Sequence, residues 1–467
     1  MTSFPGGGPE GEARSDLGLG LELGPDLGPE LGRVLGLGIV GAGRFATFLA
    51  DATADLPGVS VAMVADQNTD RGDALANRHR ARSVGSWETL LRDDDVDVVV
   101  VATPPGSHAL LVRAALEAGK HVFCEKPLAT SAAEASALVG PVEQSGRVLV
   151  VDHVLRYNPI LRALVRLGPS GPSSPDGPRS SAGPSGPGDG LLGRLQRFCF
   201  ENDASDEDLH PDHWFWDTAQ SGGIFVEHGV HFFDAATMLA GTPATSVQAS
   251  AARRASATDG SAGSVRPVEG PIDLVSATLT HGPGVLAIHT HSFTHAHRCE
   301  RQLMRLDYGP GEVRVDGWIP TDAVLDLWTG DAGARVAEDL SDRAAELLGV
   351  PGFRLGHRAA ITTEVHRHAG TRAARGRGAA LDLPHHVRVH LTLGGPSAKG
   401  EVYAESVRAA MADLVSCVTT GDAPVSGVRE GAAAVVVAAA ATRAAAEGRT
   451  IPISDHDSFA RTGTRTA

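Results

Sequence analysis

The chain has 467 residues, enough for two domains, with 42% apolar residues and a formal net charge of −15. No apolar run has the length of a membrane helix and no basic cluster offers a face to phosphates, which argues against a membrane or nucleic-acid partner and for a small molecule. The four cysteines, Cys124, Cys199, Cys299 and Cys417, form no CxxC pair, and the first residues show no basic region leading into an apolar core, so a cytoplasmic setting is expected.

Residues 1–33 are rich in Gly, Pro and acidic side chains without an apolar period, and are expected to be a disordered lead-in. From 34 to 155 short apolar runs alternate with helical stretches. The runs are LGLGIV (35–40), VSVAMVA (59–65), VDVVVVAT (96–103), HVFC (121–124) and RVLVV (147–151). Continuous apolar strands separated by helices predict a parallel sheet covered on both faces, a doubly wound α/β domain. After the helix NPILRALVRLG (158–168), residues 168–190 cannot bury a core and read as a flexible insertion within a second domain spanning 156–453. That domain shows longer runs with few helices between them, including RLQRFCFE (194–201), PIDLVSATLTH (271–281) and GVLAIHTHSF (284–293), so a large, mostly antiparallel open sheet of α+β type is expected. A loose segment near 253–269 reads as a hairpin loop, two helices are expected from 401 to 448, and 454–467 as a frayed tail.

Two glycine patterns overlap at the first strand. Gly36, Gly38 and Gly41 spell GxGxxG; Gly41, Gly43 and Ala46 spell GxGxxA. Only the second places a strand before the loop and a helix after it, as a pyrophosphate site at a helix N-terminus requires. Asp66, at the end of the second strand, is placed to bind ribose hydroxyls and to repel a 2′-phosphate, so NAD is favoured and, with Arg71 nearby, NADP stays possible.

Only Lys120, Lys126 and Lys399 are lysines among 41 basic residues. Lys126, in HVFCEKPLAT, stands at the carboxyl edge of the sheet, where ligands bind. Burial there is expected to lower its pKa toward ~7–8, suited to proton transfer. In SGGIFVEHGVHFFD (221–234), Glu227 and His231 fall on one helical face at i,i+4. The cluster suits an acid–base relay, a metal site through His228 and His231 at i,i+3, or a purely structural polar helix. His289, His291, His295 and His297 alternate along a probable strand and are expected on a polar sheet face, solvated or at a subunit contact.

The segments VGAGRFA, VVVVATPPGSHALLVRAALEAGKHVFCEKPLA and SGGIFVEHGVHFFDAATMLAG, in this order, resemble the Gfo/Idh/MocA family of nicotinamide-dependent oxidoreductases. The resemblance implies a Rossmann domain followed by an α+β domain. It implies cofactor contacts from Gly41, Gly43, Arg44, Phe45, Ala46, Asp66, Thr103, Pro104, His108, Glu125 and Lys126, with Lys126–Pro127 cis. It implies Lys126 and His231 as catalytic groups, Glu227 orienting His231, and no metal. Arg156, Asn158, Trp214 and His228 would lie toward the substrate, a sugar, polyol or related secondary alcohol. It also implies a homodimer or homotetramer through the open sheet face. Redox-neutral elimination or glycoside cleavage assisted by NAD, and a non-catalytic cofactor-binding role, remain alternatives.

Overall fold

The computed structural model describes residues 33–169, 191–205, 209, 213–255, 269–282, 284–368, 374–376, 379–381 and 383–453. The expected lead-in, insertion and tail, and most of the 253–269 loop, lie outside the described residues.

The first sheet contains β1 (Leu35–Val40), β2 (Val59–Ala65), β3 (Arg82–Val84), β4 (Val98–Val101), β5 (His121–Cys124) and β6 (Leu149–Val151). Their order is β3-β2-β1-β4-β5-β6, and every pairing is parallel. All four valines of β4 are buried, as a central strand with helices on both faces demands. The order reverses between β1 and β4, so the crevice beyond their carboxyl ends is the topological switch point. The glycine loop follows β1, Thr103 follows β4, and Lys126 follows β5.

After β6 the chain crosses through a short turn of 3₁₀ helix, Val154–Tyr157, into the helix Pro159–Leu167. The second sheet collects β7 (Leu195–Asp203), β8 (Ala244–Ala255), β9 (Glu269–His281), β10 (Val285–Ser292), β11 (Arg301–Tyr308), β12 (Gly311–Asp316), β13 (Asp322–Thr329) and β14 (Ala360–Arg367). A small hairpin of β15 (Ala374–Gly376) and β16 (Ala379–Leu381) stands apart, and β17 (His385–Thr392) and β18 (Ile451–Pro452) complete the large sheet. Its order is β14-β17-β13-β12-β11-β7-β10-β9-β8-β18, antiparallel except where β7 and β10 run parallel. Alternation is clear in β13, where Ala323, Leu325 and Leu327 are buried and their neighbours partly open.

The long helices Lys399–Thr420 and Val428–Glu447 return to the first domain. Tyr403 stacks against Phe48 with ring centroids 4.6 Å apart, the Val151 amide donates to the Ser426 carbonyl at 2.8 Å, and Arg429 pairs with Glu143 at 2.5 Å. The two domains thus share a packed boundary rather than a tether.

The histidine strand corrects the expectation of a solvated or subunit-facing row. His289 and His291 are fully buried on the covered face, among Phe198, Phe200, Phe225, Phe232 and Phe233. Their four ring nitrogens have no hydrogen-bond partner. Burial lowers the pKa of both, that of His291 to about 3. The alternation was right, but the helix Val230–Ala240 covers that face; β10 ends at Ser292, and His295 and His297 lie beyond it.

Candidate active site

The glycine register resolves on packing. A Cβ at Gly36 would run into the Asp95 carbonyl and one at Gly38 would meet Leu90 at 2.6 Å, so both glycines let the strand pack. Gly41 has φ +95°, and a Cβ there would come within 2.6 Å of the Ala102 carbonyl oxygen. Gly43 starts the helix Arg44–Thr53, and a Cβ on it would meet nothing within 4 Å. Space therefore opens in front of a helix N-terminus that has no side-chain cap and no acidic residue in its first turn. Phe45 and Ala46 are buried behind it, while Arg44 is exposed. Asp66 closes one side: its carboxylate accepts from the amides of Ala42 at 2.6 Å and Asn68 at 2.7 Å, with the Arg71 guanidinium 3.4 Å away. Gly43→Val should raise the NADH dissociation constant at least about tenfold by filling the approach. The melting temperature should stay nearly unchanged, because the added side chain points into open space.

Thr103 and Ser107 share a hydrogen bond of 2.6 Å beside exposed Pro104. His108, expected near the cofactor, is instead a buried strut: its Nδ1 lies 2.7 Å from the Pro127 carbonyl and its Nε2 2.8 Å from that of Thr103. Burial holds its pKa below the ordinary imidazole value. The Lys126–Pro127 peptide it braces is cis.

Lys126 is 8% exposed. Its Nζ donates to the Glu227 backbone carbonyl and to Glu227 Oε1, both at 2.9 Å. Burial disfavours the ammonium, but the Glu227 and Glu125 carboxylates outweigh it and the pKa rises. The expected downward shift toward ~7–8 is therefore corrected: the sequence shows the burial of this lysine but not the carboxylate brought to it from the second domain. Glu227 answers in kind, since Lys126 overcomes its desolvation and holds its pKa below the usual range.

The expected Glu227–His231 relay is not formed. Residues Phe225–Gly229 adopt a π-helix, whose wider turn breaks the i,i+4 face assumed for an α-helix. Glu227 turns to Lys126. His231 Nδ1 has no hydrogen-bond partner, and the ring sits 6.2 Å from His153 and 6.0 Å from Trp318, centroid to centroid. Burial, followed by the Lys126 charge, puts its pKa well below the ordinary value. His228 faces the sheet instead, with its ring 5.3 Å from His291 and 5.1 Å from Phe293. Among the described residues no group of three or more His, Cys, Asp or Glu is arranged to hold a metal ion.

Arg156 and Asn158 were read toward the substrate, and the structure commits both elsewhere. Arg156 grips Asp234 with two hydrogen bonds, 2.7 and 2.8 Å, and donates to the Val425 carbonyl at 3.2 Å. Asn158 caps the helix Pro159–Leu167 and donates to the Pro320 carbonyl at 2.9 Å. Asp234→Ala would leave the guanidinium buried without its partner and should cost about 3–5 kcal/mol in urea unfolding. Trp214 is half-buried between His213 and Phe215.

Three residues at this boundary were missed. Asp152 and His153 follow β6, are each 1% exposed, and among the described residues have no hydrogen-bond partner for either carboxylate oxygen or either ring nitrogen. Their place at the carboxyl edge of the last strand was a usable signal. Trp318, 6% exposed with an unpartnered indole N–H, comes from the β12–β13 connection and carried no local signal.

Comparisons with known proteins bear on the family and the fold. The family model described as the oxidoreductase family with an NAD-binding Rossmann fold matches residues 35–153, and the GFO/IDH/MocA C-terminal domain matches 188–308. The chain belongs to the Gfo/Idh/MocA family. An uncharacterised oxidoreductase of Bacillus subtilis, YrbE, is 26% identical over 54% of this chain and 65% of its own length. Inositol 2-dehydrogenase of Rhizobium meliloti is 27% identical over 64% of this chain and 80% of its own. The chain spans 39–65% of the length of the first three curated relatives that it matches. A levoglucosan dehydrogenase structure with NADH and L-sorbose superposes with a TM-score of 0.64 at 19% identity, covering 90% of this chain and 99% of that one, which shows the shared fold. No helix among the described residues is long and apolar enough to cross a membrane.

Proposed function

We propose that the chain is an NAD(P)-dependent oxidoreductase that interconverts a secondary alcohol and its ketone on a sugar, polyol or related small molecule. The observation that carries this reading is the Lys126–Glu227 pair, which joins the end of β5 to the second domain's π-turn and is surrounded by unsatisfied buried polar atoms. Glu227 Oε2, both Asp152 oxygens, both His153 nitrogens, His231 Nδ1 and the Trp318 N–H have no hydrogen-bond partner among the described residues. Such groups are costly to bury unless a ligand completes them. The open approach at Gly43 fits a pyrophosphate, and Asp66 with Arg71 fits the adenosine ribose.

The nicotinamide, when bound, supplies a hydride acceptor and donor. The rest falls to side chains. Lys126 presents an ammonium that polarises the substrate oxygen and favours the alkoxide as its proton leaves. His231 lies within the same wall and offers Nδ1 to a substrate hydroxyl. Trp318 and the aromatic cluster under the helix exclude water from the reacting carbon.

Fluorescence titration with NADH and NADPH tests the reading. Saturable binding is expected, tighter for NADH, and Asp66→Ala should narrow that preference by about tenfold, one lost charge-assisted pair. Binding of neither by folded, cofactor-free protein would overturn the reading.

A further inference from the structure

Two hydrogen-bonding groups beside His231 have no part in the reaction as described. His153 is 1% exposed, and neither of its ring nitrogens has a hydrogen-bond partner among the described residues. Trp318 is 6% exposed and leaves its indole N–H in the same condition. Both stand one ring away from His231: His153 meets it edge-on with centroids 6.2 Å apart, and Trp318 lies at 6.0 Å. Neither ring is loosely held. The His153 amide donates to the Val151 carbonyl at 2.7 Å, and its carbonyl accepts from the Arg156 amide at 2.9 Å. The Trp318 indole packs edge-on against Tyr403, centroids 5.2 Å apart, with Lys399 Nζ 5.8 Å from its centre. Tyr403 in turn packs on Phe48, from the helix that follows the glycine loop.

We propose that His153 and Trp318 are specificity-determining residues: they bind the hydroxyl next to the one held by His231, and so select an uncharged vicinal diol over a carboxylate or a phosphate ester. The proposal rests on the oxidoreductase reading above. Three buried polar rings, with no hydrogen bond between them, are costly unless a ligand completes them. An oxygen sits ~2.8 Å from a nitrogen that it bonds. At these ring spacings, an oxygen on His231 and one on His153 or Trp318 fall on adjoining positions of one ligand. A lone alcohol would complete His231 and leave its two neighbours unpaired. The chemistry of the wall sets the charge. Burial lowers the pKa of His153 to about 4, so the ring is neutral and offers one donor and one acceptor. A hydroxyl matches both, whereas a carboxylate or phosphate only accepts. The cations whose charges reach His153 are engaged already, Lys126 by Glu227 and Arg156 by Asp234. An anionic substituent at this place would find no free partner in either of them.

Calorimetric titration of the NADH-loaded full chain tests this without turnover. The probes are neutral cyclohexane hexols and hexopyranoses, their monodeoxy analogues, and the matching uronic acids and monophosphates. A neutral polyol should bind, its acid and phosphate counterparts at least about tenfold more weakly. Among the monodeoxy analogues of that polyol, one should bind about tenfold more weakly through loss of the hydroxyl that the two residues hold. In His153→Leu and in Trp318→Phe the gap between polyol and that analogue should close to less than about threefold, since the group that read the hydroxyl is gone. NADH affinity should change less than about threefold and circular dichroism not at all. Rings that serve only to pack, or that are completed by buried water, would weaken both ligands equally and leave the gap as it was. An unchanged gap in both folded variants, tighter binding of a uronic acid or phosphate, or binding of no neutral polyol by the NADH-loaded chain would overturn the assignment. Failure to bind NADH would instead remove the oxidoreductase reading, and the assignment with it.

Discussion

Lys126→Ala should lower kcat by about 10²- to 10³-fold, the range for removing one donor aimed at a developing oxyanion. The same substitution leaves the Glu227 carboxylate buried, 2% exposed, with its cation gone. An unfolding cost of about 3–5 kcal/mol should accompany the kinetic loss. Lys126→Ala with Glu227→Gln separates the two effects, because the double variant removes the orphaned charge as well. It should recover most of the stability and none of the turnover. Lys126→Arg is the sharper kinetic control: it keeps the charge, but a guanidinium does not exchange its proton near neutral pH. Arginine restoring more than about a tenth of kcat would show that a fixed positive charge at this place suffices, and arginine restoring none that the compact ammonium's position is required.

The second large effect is on stability in acid. His153, His228, His231, His281, His289 and His291 all have pKa values lowered by burial, to about 4 for His153 and about 3 for His291. In the unfolded chain these rings take up protons near the ordinary value of about 6.5, so the unfolded state binds more protons and stability falls as pH drops below that point. Glu125, Asp152 and Asp413 act the other way, because burial raises them and the folded state holds their protons longer. His108, His121 and His213 are lowered by burial as well, so lowered imidazoles outnumber raised carboxyls and stability falls with pH between about pH 6 and 4.5. Urea midpoints should therefore fall steeply over that interval. A His289→Leu and His291→Leu double variant should make that fall clearly shallower. Equal slopes in variant and wild type would show that these two rings are already charged in the folded protein.

How much of this could be read from sequence depended on whether a signal was local. The apolar runs at 35–40, 59–65 and 121–124 coincide with β1, β2 and β5, since a strand covered on both faces must be apolar throughout. β3 went unread because three residues at a sheet edge, two of them exposed, leave no pattern. In the second domain β8, β12, β14 and β17 were missed; their alternation is visible only once the covered face is known. Lys126 stood out through its rarity and its place at the strand end. Its partner was misassigned because a five-residue π-turn has no reliable sequence signature, and a normal helix would have sent Glu227 toward His231. Arg156 and Asn158 were located correctly along the chain, but only the structure shows Asp234 and Pro320 consuming their hydrogen bonds.

The return of the last two helices to the first sheet has a consequence for how the molecule is made. Val151 is bonded to Ser426, and Val428–Glu447 lies across the β6 edge, so the nucleotide-binding half leaves the ribosome almost 300 residues before part of its own covering exists. Until then β6 and the helix Ala132–Ser145 present apolar surface to solvent or to a chaperone. A fragment cut at the end of the Rossmann segment would keep that exposed flank permanently. Synthesis order thus makes the arrival of Val428–Glu447, rather than the completion of the Rossmann segment, the event that covers this flank.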